Sequence, residues 1–141
     1  MIHISGFRKA LDDETCESRY EELLAHALDR CDLVPGATIQ REVSVGDGRY
    51  RVDFLIVVGD IRVSVEVDSW EWHHETRYQV DADYRRRRYI QAQGIRPVHF
   101  STRELAGSTQ ECVAELRDIV RGLVVSADVA RDRWVAERES A

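Results

Sequence analysis

The chain has 141 residues, 43% apolar and 33% charged, with a formal net charge of −6. That length suits one domain with an ordinary hydrophobic core. No apolar run approaches the roughly 18 residues that cross a bilayer, and the acidic balance argues against a generic nucleic-acid coat.

The pattern of apolar residues and turn signals reads α-β-β-β-α-β-α. A first helix is expected over 15–30, with Tyr20, Leu24, Ala27, Leu28 and Cys31 as its apolar stripe. Early acids Asp12, Asp13, Glu14, Glu17, Glu21 and Glu22 suit the positive end of a helix dipole. Glu17 lies on the apolar stripe, one turn before the core begins, while Glu22 points elsewhere. A carboxylate aligned with a buried face must be capped, paired or functional.

Strand 38–45 follows, and a two-residue turn at Asp47-Gly48 would pair Val45 with Tyr50 and Val43 with Val52. Residues 50–58 and 61–68 read as a second hairpin around Gly59-Asp60. That turn sets Val52, Phe54 and Ile56 opposite Val67, Val65 and Val63, a wholly apolar face. On the other face Asp53 lies opposite Glu66 and Arg51 opposite Asp68. Glu42 would sit beside Asp53, either as a partner for Arg51 or as a solvated edge residue. Directly opposed like charges destabilise a sheet, so three clustered carboxylates point to a divalent cation held by oxygen ligands. Alternation alone also accounts for charges on an outer face.

An aromatic loop, Ser69-Trp70-Glu71-Trp72-His73-His74, precedes a helix expected over 75–93 and ended by Gly94. The helix carries Arg85, Arg86, Arg87 and Arg88. Asp81 and Asp83 are spaced to pair with some of them. Four consecutive arginines circle a helix, so at least one is expected to face the sheet or a phosphate. A strand over 95–100 and an amphipathic helix over 110–125 complete the pattern. Residues 1–125 are expected to form the single domain and 126–141 a C-terminal helical extension or tail. Nineteen of the twenty basic residues are Arg, the residue suited to bidentate phosphate contact. Cys16, Cys31 and Cys112 lack metal-ligand or disulfide spacing and read as reduced core thiols. The opening residues show no basic-then-apolar leader, so the cytoplasm is the expected location.

A set of short motifs then falls in a familiar order: Glu17-Ser18, Tyr50-Arg51-Val52-Asp53-Phe54, Val65-Glu66-Val67-Asp68, Trp72-His73, Asp83 with Arg86 or Arg87, and Gly94-Ile95-Arg96-Pro97-Val98-His99-Phe100. Over about 15–125 the chain resembles the PD-(D/E)XK, restriction-endonuclease-like nucleases, specifically bacterial domains related to very-short-patch (Vsr) repair endonucleases. Two departures stand out. Ser69 replaces the family's Gly after Glu-Val-Asp, and Asp68 stands where the wider superfamily has a catalytic Lys.

The resemblance implies an α/β restriction-endonuclease-like core, α-β-β-β-α-β, with a mixed four-stranded sheet flanked by helices and an extra C-terminal helix. It implies a Mg²⁺- or Mn²⁺-dependent endonuclease acting on DNA, with no organic cofactor and no membrane partner. Asp53 and Glu66 would hold the metal, Asp68 would complete the site or fix His73, and Glu17 would close it. His73, with His74 beside it, would stand in for the missing Lys as general base. Arg85 to Arg88 would grip phosphates, and Trp70 or Trp72 would stack on a base. The alternative is a catalytically inactive nuclease-fold domain that binds nucleic acid, or a protein partner in a defence or toxin–antitoxin system.

Overall fold

The computed structural model describes residues 17–69 and 76–140. Helix α1 (Glu17–Asp29) is followed by strands β1 (Thr38–Val45), β2 (Tyr50–Val58) and β3 (Ile61–Asp68). Helix α2 (Arg77–Ala92), strand β4 (Ile95–Ser101) and helix α3 (Thr102–Glu139) complete the order. The class is α/β: a four-stranded mixed sheet, β1-β2-β3-β4, antiparallel throughout except for the parallel β3–β4 pair. A parallel neighbour requires a crossover, and α2 supplies it.

Two apolar clusters sandwich the sheet. Tyr20, Leu24 and Leu28 of α1 and Val113, Leu116 and Val120 of α3 bury against Phe54, Ile56, Val63, Val65 and Phe100. On the opposite face Ile90 of α2 packs with Val45, Val52, Leu55 and Ile95. Each helix contributes one apolar stripe, as amphipathic helices on a sheet must. Cys31 and Cys112 are free thiols, and Cys16 lies outside the described residues. Among the described residues, no helix is long and apolar enough to cross a membrane.

The hairpin registers follow the sequence reading, with Val43↔Val52, Val45↔Tyr50, Phe54↔Val65 and Ile56↔Val63. The first turn is longer than expected. Gly46 and Gly48 both take positive φ, Gly48 N–H donates to the Val45 carbonyl at 3.1 Å, and pairing resumes only at Tyr50. A side chain at position 46 would run into the Tyr89 hydroxyl, which instead donates to Asp47 Oδ1 at 2.9 Å.

The expected wholly apolar face is not continuous. Val52 packs on the α2 side with Val45, whereas Phe54 and Ile56 pack on the α1–α3 side. Cross-strand partners change side together: Arg41 lies over the Phe54 ring, but Val43 joins Val52 in the other cluster. The exchange falls at Glu42, whose φ of 51° is the one positive value at a non-glycine among the described residues. Strict alternation fails there because the backbone turns over.

The helix boundaries also shift. α2 begins after Thr76, which caps it through a reciprocal capping box with Gln79, and the expected first residue, Glu75, lies outside the described residues. The last helix starts at Thr102 rather than 110 and runs to Glu139 rather than 125. Its start is another capping box: Glu104 N–H donates to Ser101 Oγ at 3.0 Å, and Ser101 N–H donates to Glu104 Oε2 at 2.8 Å. The helix kinks at Ser108, which leaves helical geometry and caps the next turn through Glu111 N–H. Beyond Val125 the helix is exposed. Replacing Ser101 by Ala is expected to cost about 1 kcal/mol, read as a lowered Tm in thermal unfolding. An unchanged Tm would show that the cap does not set the start of α3.

Candidate functional site

The ladder between β2 and β3 stops at Phe54↔Val65. Beyond it Asp53 Oδ2 accepts from Val67 N–H at 2.9 Å, so a side-chain carboxylate takes the place of a strand carbonyl. The strands part, and the gap becomes a cleft of about 640 Å³. Glu17, Asp53, Glu66 and Asp68 line it, with Arg86 and Arg87 of α2 on the far wall.

Each acid is held differently. Glu17 Oε1 accepts from the backbone N–H of Ser69 at 3.0 Å, tying the start of α1 to the end of β3. Its place on the apolar stripe is therefore explained by a backbone partner. Glu66 is 6% exposed and receives a two-pronged guanidinium from Arg86, with Nη1 at 2.7 Å from Oε2 and Nη2 on Oε1. Arg86 Nη2 also reaches the Arg51 carbonyl at 2.8 Å, an acceptor near the end of the β2–β3 ladder. Asp68 Oδ2 sits 2.7 Å from His99 Nδ1, and His99 Nε2 lies 3.6 Å from Glu66 Oε2. Burial raises the proton affinity of Asp53, opposed by the Val67 N–H, and the negative charges of Glu66 and Asp68 push it further up.

The expected pairing of Arg51 with Asp68 does not occur. Arg51 Nη2 reaches Glu42 Oε2 at 2.6 Å, on the exposed edge of the sheet. The turned-over backbone at Glu42 and the end of the β2–β3 ladder leave Arg51 with the nearer strand. Glu42 is thus a partner for Arg51 rather than a wall of the cleft. Among the arginines of α2, Arg86 faces the sheet and Arg87 pairs with Asp83 at 3.2 Å, one helical turn earlier. Arg85 and Arg88 are exposed. Trp70, Trp72, His73 and His74 lie outside the described residues.

Two participants had no assigned role in the sequence reading. His99 reaches the acids through the parallel register Glu66↔His99. Its only sequence signal is that it alternates with the inward Val98 and Phe100 of β4. Glu21 is the other. It is hydrogen-bonded to Asp53, and partial burial together with the charges of Asp53, Glu42 and Glu17 pushes it up from 4.5 to about 7. Its signal is the helical spacing Glu17–Glu21, which puts both on one face of α1.

Among the described residues, no group of three or more His, Cys, Asp or Glu side chains is arranged to hold a metal ion. The acids instead share protons and guanidinium: Glu21 with Asp53, Glu66 with Arg86. The donor set itself, carboxylate oxygens from Glu17, Asp53, Glu66 and Asp68, has the hard-oxygen chemistry that Mg²⁺ and Mn²⁺ prefer. No family model, curated protein or solved structure matches the chain.

The Glu21–Asp53 pair has a consequence for stability. Between pH 4.5 and about 7 the folded chain keeps a proton that an unfolded Glu21 has released. Stability therefore falls as pH rises through that window. Tm is expected to be higher at pH 5 than at pH 8, and Glu21→Gln is expected to flatten the slope in melts taken across that range. A slope unaltered by Glu21→Gln would place the titration elsewhere.

Proposed function

We propose that the protein is a divalent-metal-dependent endonuclease acting on DNA, of the restriction-endonuclease-like type related to very-short-patch repair enzymes. The observation that carries this reading is the convergence of Glu17, Asp53, Glu66 and Asp68 from one helix and two strands on a single cleft walled by arginine. Acids crowded in this way favour whatever brings positive charge among them.

In this reading Asp53 and Glu66 hold Mg²⁺ or Mn²⁺. The ion, when bound, supplies Lewis-acid polarisation of a phosphate and a more acidic water. Glu17 closes the site from α1 by holding the Ser69 backbone at the end of β3. His73 takes the proton from the attacking water, the role the missing Lys leaves open. Asp68 and His99 hold each other, which keeps the Asp68 carboxylate directed toward β4. Arg86 and Arg87 bind the phosphates flanking the scissile bond, with Arg85 and Arg88 extending the basic surface along α2. Trp70 or Trp72 stacks on a distorted base.

One observation favours a second reading, a nuclease-fold domain that binds nucleic acid without cutting it. Glu66 is already neutralised by Arg86, and a site satisfied from within can serve as architecture alone. Incubation with supercoiled and single-stranded DNA, with Mg²⁺, Mn²⁺ or EDTA, separates the two. Cleavage is expected only with metal. Asp53→Asn, which keeps an acceptor for Val67 N–H, is expected to abolish it and shift Tm by no more than a few degrees. Asp53→Ala strands that N–H and is expected to cost about 1–3 kcal/mol as well. DNA binding that survives EDTA with no cleavage under any condition would establish the binding domain instead.

A further inference from the structure

Arg86 stands where positive charge is most needed. Its two terminal nitrogens engage both oxygens of Glu66. Nη2 also holds the Arg51 carbonyl, and the guanidinium carbon lies 5.7 Å from the centre of the Tyr50 ring. The Glu66 side chain is 8% exposed and that of Arg86 22%. In so dry a place a carboxylate paired with a guanidinium cannot accept a second cation without repulsion. Arg87, on the same wall, is tied to Asp83 and does not compete for Glu66.

Resting on the metal-dependent reading above, we propose that Arg86 is a built-in competitor for the catalytic cation. It neutralises Glu66 when no metal is bound, and it transfers to a substrate phosphate when metal takes Glu66. Guanidinium binds carboxylate and phosphate with the same two-pronged geometry, so the exchange trades like for like. Metal entry frees Arg86, and a phosphate gives the freed group a new partner. Cation and DNA therefore help each other to bind, and by linkage the help is equal in both directions. The protein alone holds metal weakly and becomes competent with both ligands present.

Two binding measurements without turnover test this. The first is calorimetric titration of Mn²⁺, with no DNA, into wild type, Arg86→Gln and Asp53→Asn. Arg86→Gln is expected to bind Mn²⁺ about tenfold more tightly, within the usual range of site-to-site coupling, and Asp53→Asn more weakly. Equal or weaker binding by Arg86→Gln, with Asp53→Asn weakened, overturns the competitor role and leaves the metal site standing. Unchanged binding by Asp53→Asn overturns the metal reading itself, and the proposal with it. The second is fluorescence anisotropy with a short DNA duplex in EDTA, on wild type, Arg86→Gln, Glu66→Gln and the double variant. Removing Arg86 is expected to weaken DNA binding several-fold when Glu66 is already Gln, and to change it little when Glu66 is present. An equal effect in both backgrounds overturns the exchange. Should Arg86→Gln alone fail to fold, Glu66→Gln and the double variant, which keeps a neutral amide pair in place, still decide the matter: equal affinities overturn it.

Discussion

The bond from Val67 N–H to Asp53 Oδ2 shapes the working end of the molecule. A strand interior normally satisfies each N–H with a carbonyl of its neighbour. Here a side chain does so, and β2 and β3 separate. The separation opens the cleft, leaves the Arg51 carbonyl to Arg86, and gives Glu66 a buried position facing α2. At the same level β1 and β2 exchange faces around Glu42. The sheet is thus regular where its two apolar faces are covered and irregular where its acids gather.

Crowded, partly buried negative charge has to be compensated locally, and the structure does so three ways. Glu66 takes a guanidinium, Asp53 shares a proton with Glu21, and Asp68 takes an imidazole. The sources lie far apart in the chain, on α2, α1 and β4, so each compensating contact also fastens an element to the end of the sheet. Helix α2 is a clear case. Only Ile90 of its residues is fully buried, and much of its polar attachment comes from Arg86 to Glu66 and from Tyr89 to Asp47. The placement of α2 is therefore bound to the state of the acids beneath it.

What could be read from the sequence follows from how local each signal is. The β2–β3 register was legible from Val58↔Ile61 to Phe54↔Val65 because Gly59-Asp60 fixes a tight turn, and the alternation of Val and Ile fixes the faces only over that stretch. The acids Asp53, Glu66 and Asp68 came to light by extending that register to Asp53–Glu66 and Arg51–Asp68, two pairings that the structure does not form because the ladder ends at Phe54↔Val65. Arg86 was legible only as one of four, because helical spacing tells which way a side chain points and not what lies beneath it. His99 was illegible in its role: its approach to Glu66 depends on a parallel pairing across a crossover, for which no turn sets the register. Glu21 was hidden for a related reason. Its partner sits 32 positions away, on a strand whose backbone turns over where simple alternation expects it to continue. The start of α3 was legible in principle from the capping-box spacing Ser101-x-x-Glu104.

The three compensations differ in how easily each can be undone. The Asp68–His99 pair joins neighbouring parallel strands. The Glu21–Asp53 proton can leave into water near neutral pH, since Glu21 is only partly buried. Arg86 lies at the end of a long, flexible side chain on a lightly packed helix, and its charge is permanent. It can move without titrating. A shared proton and a guanidinium thus compensate Asp53 and Glu66, while an imidazole partners Asp68. An assembly built only for stability gains little from making its most buried charges depend on mobile partners. On the metal-dependent reading proposed above, such partners leave the acids open to a cation.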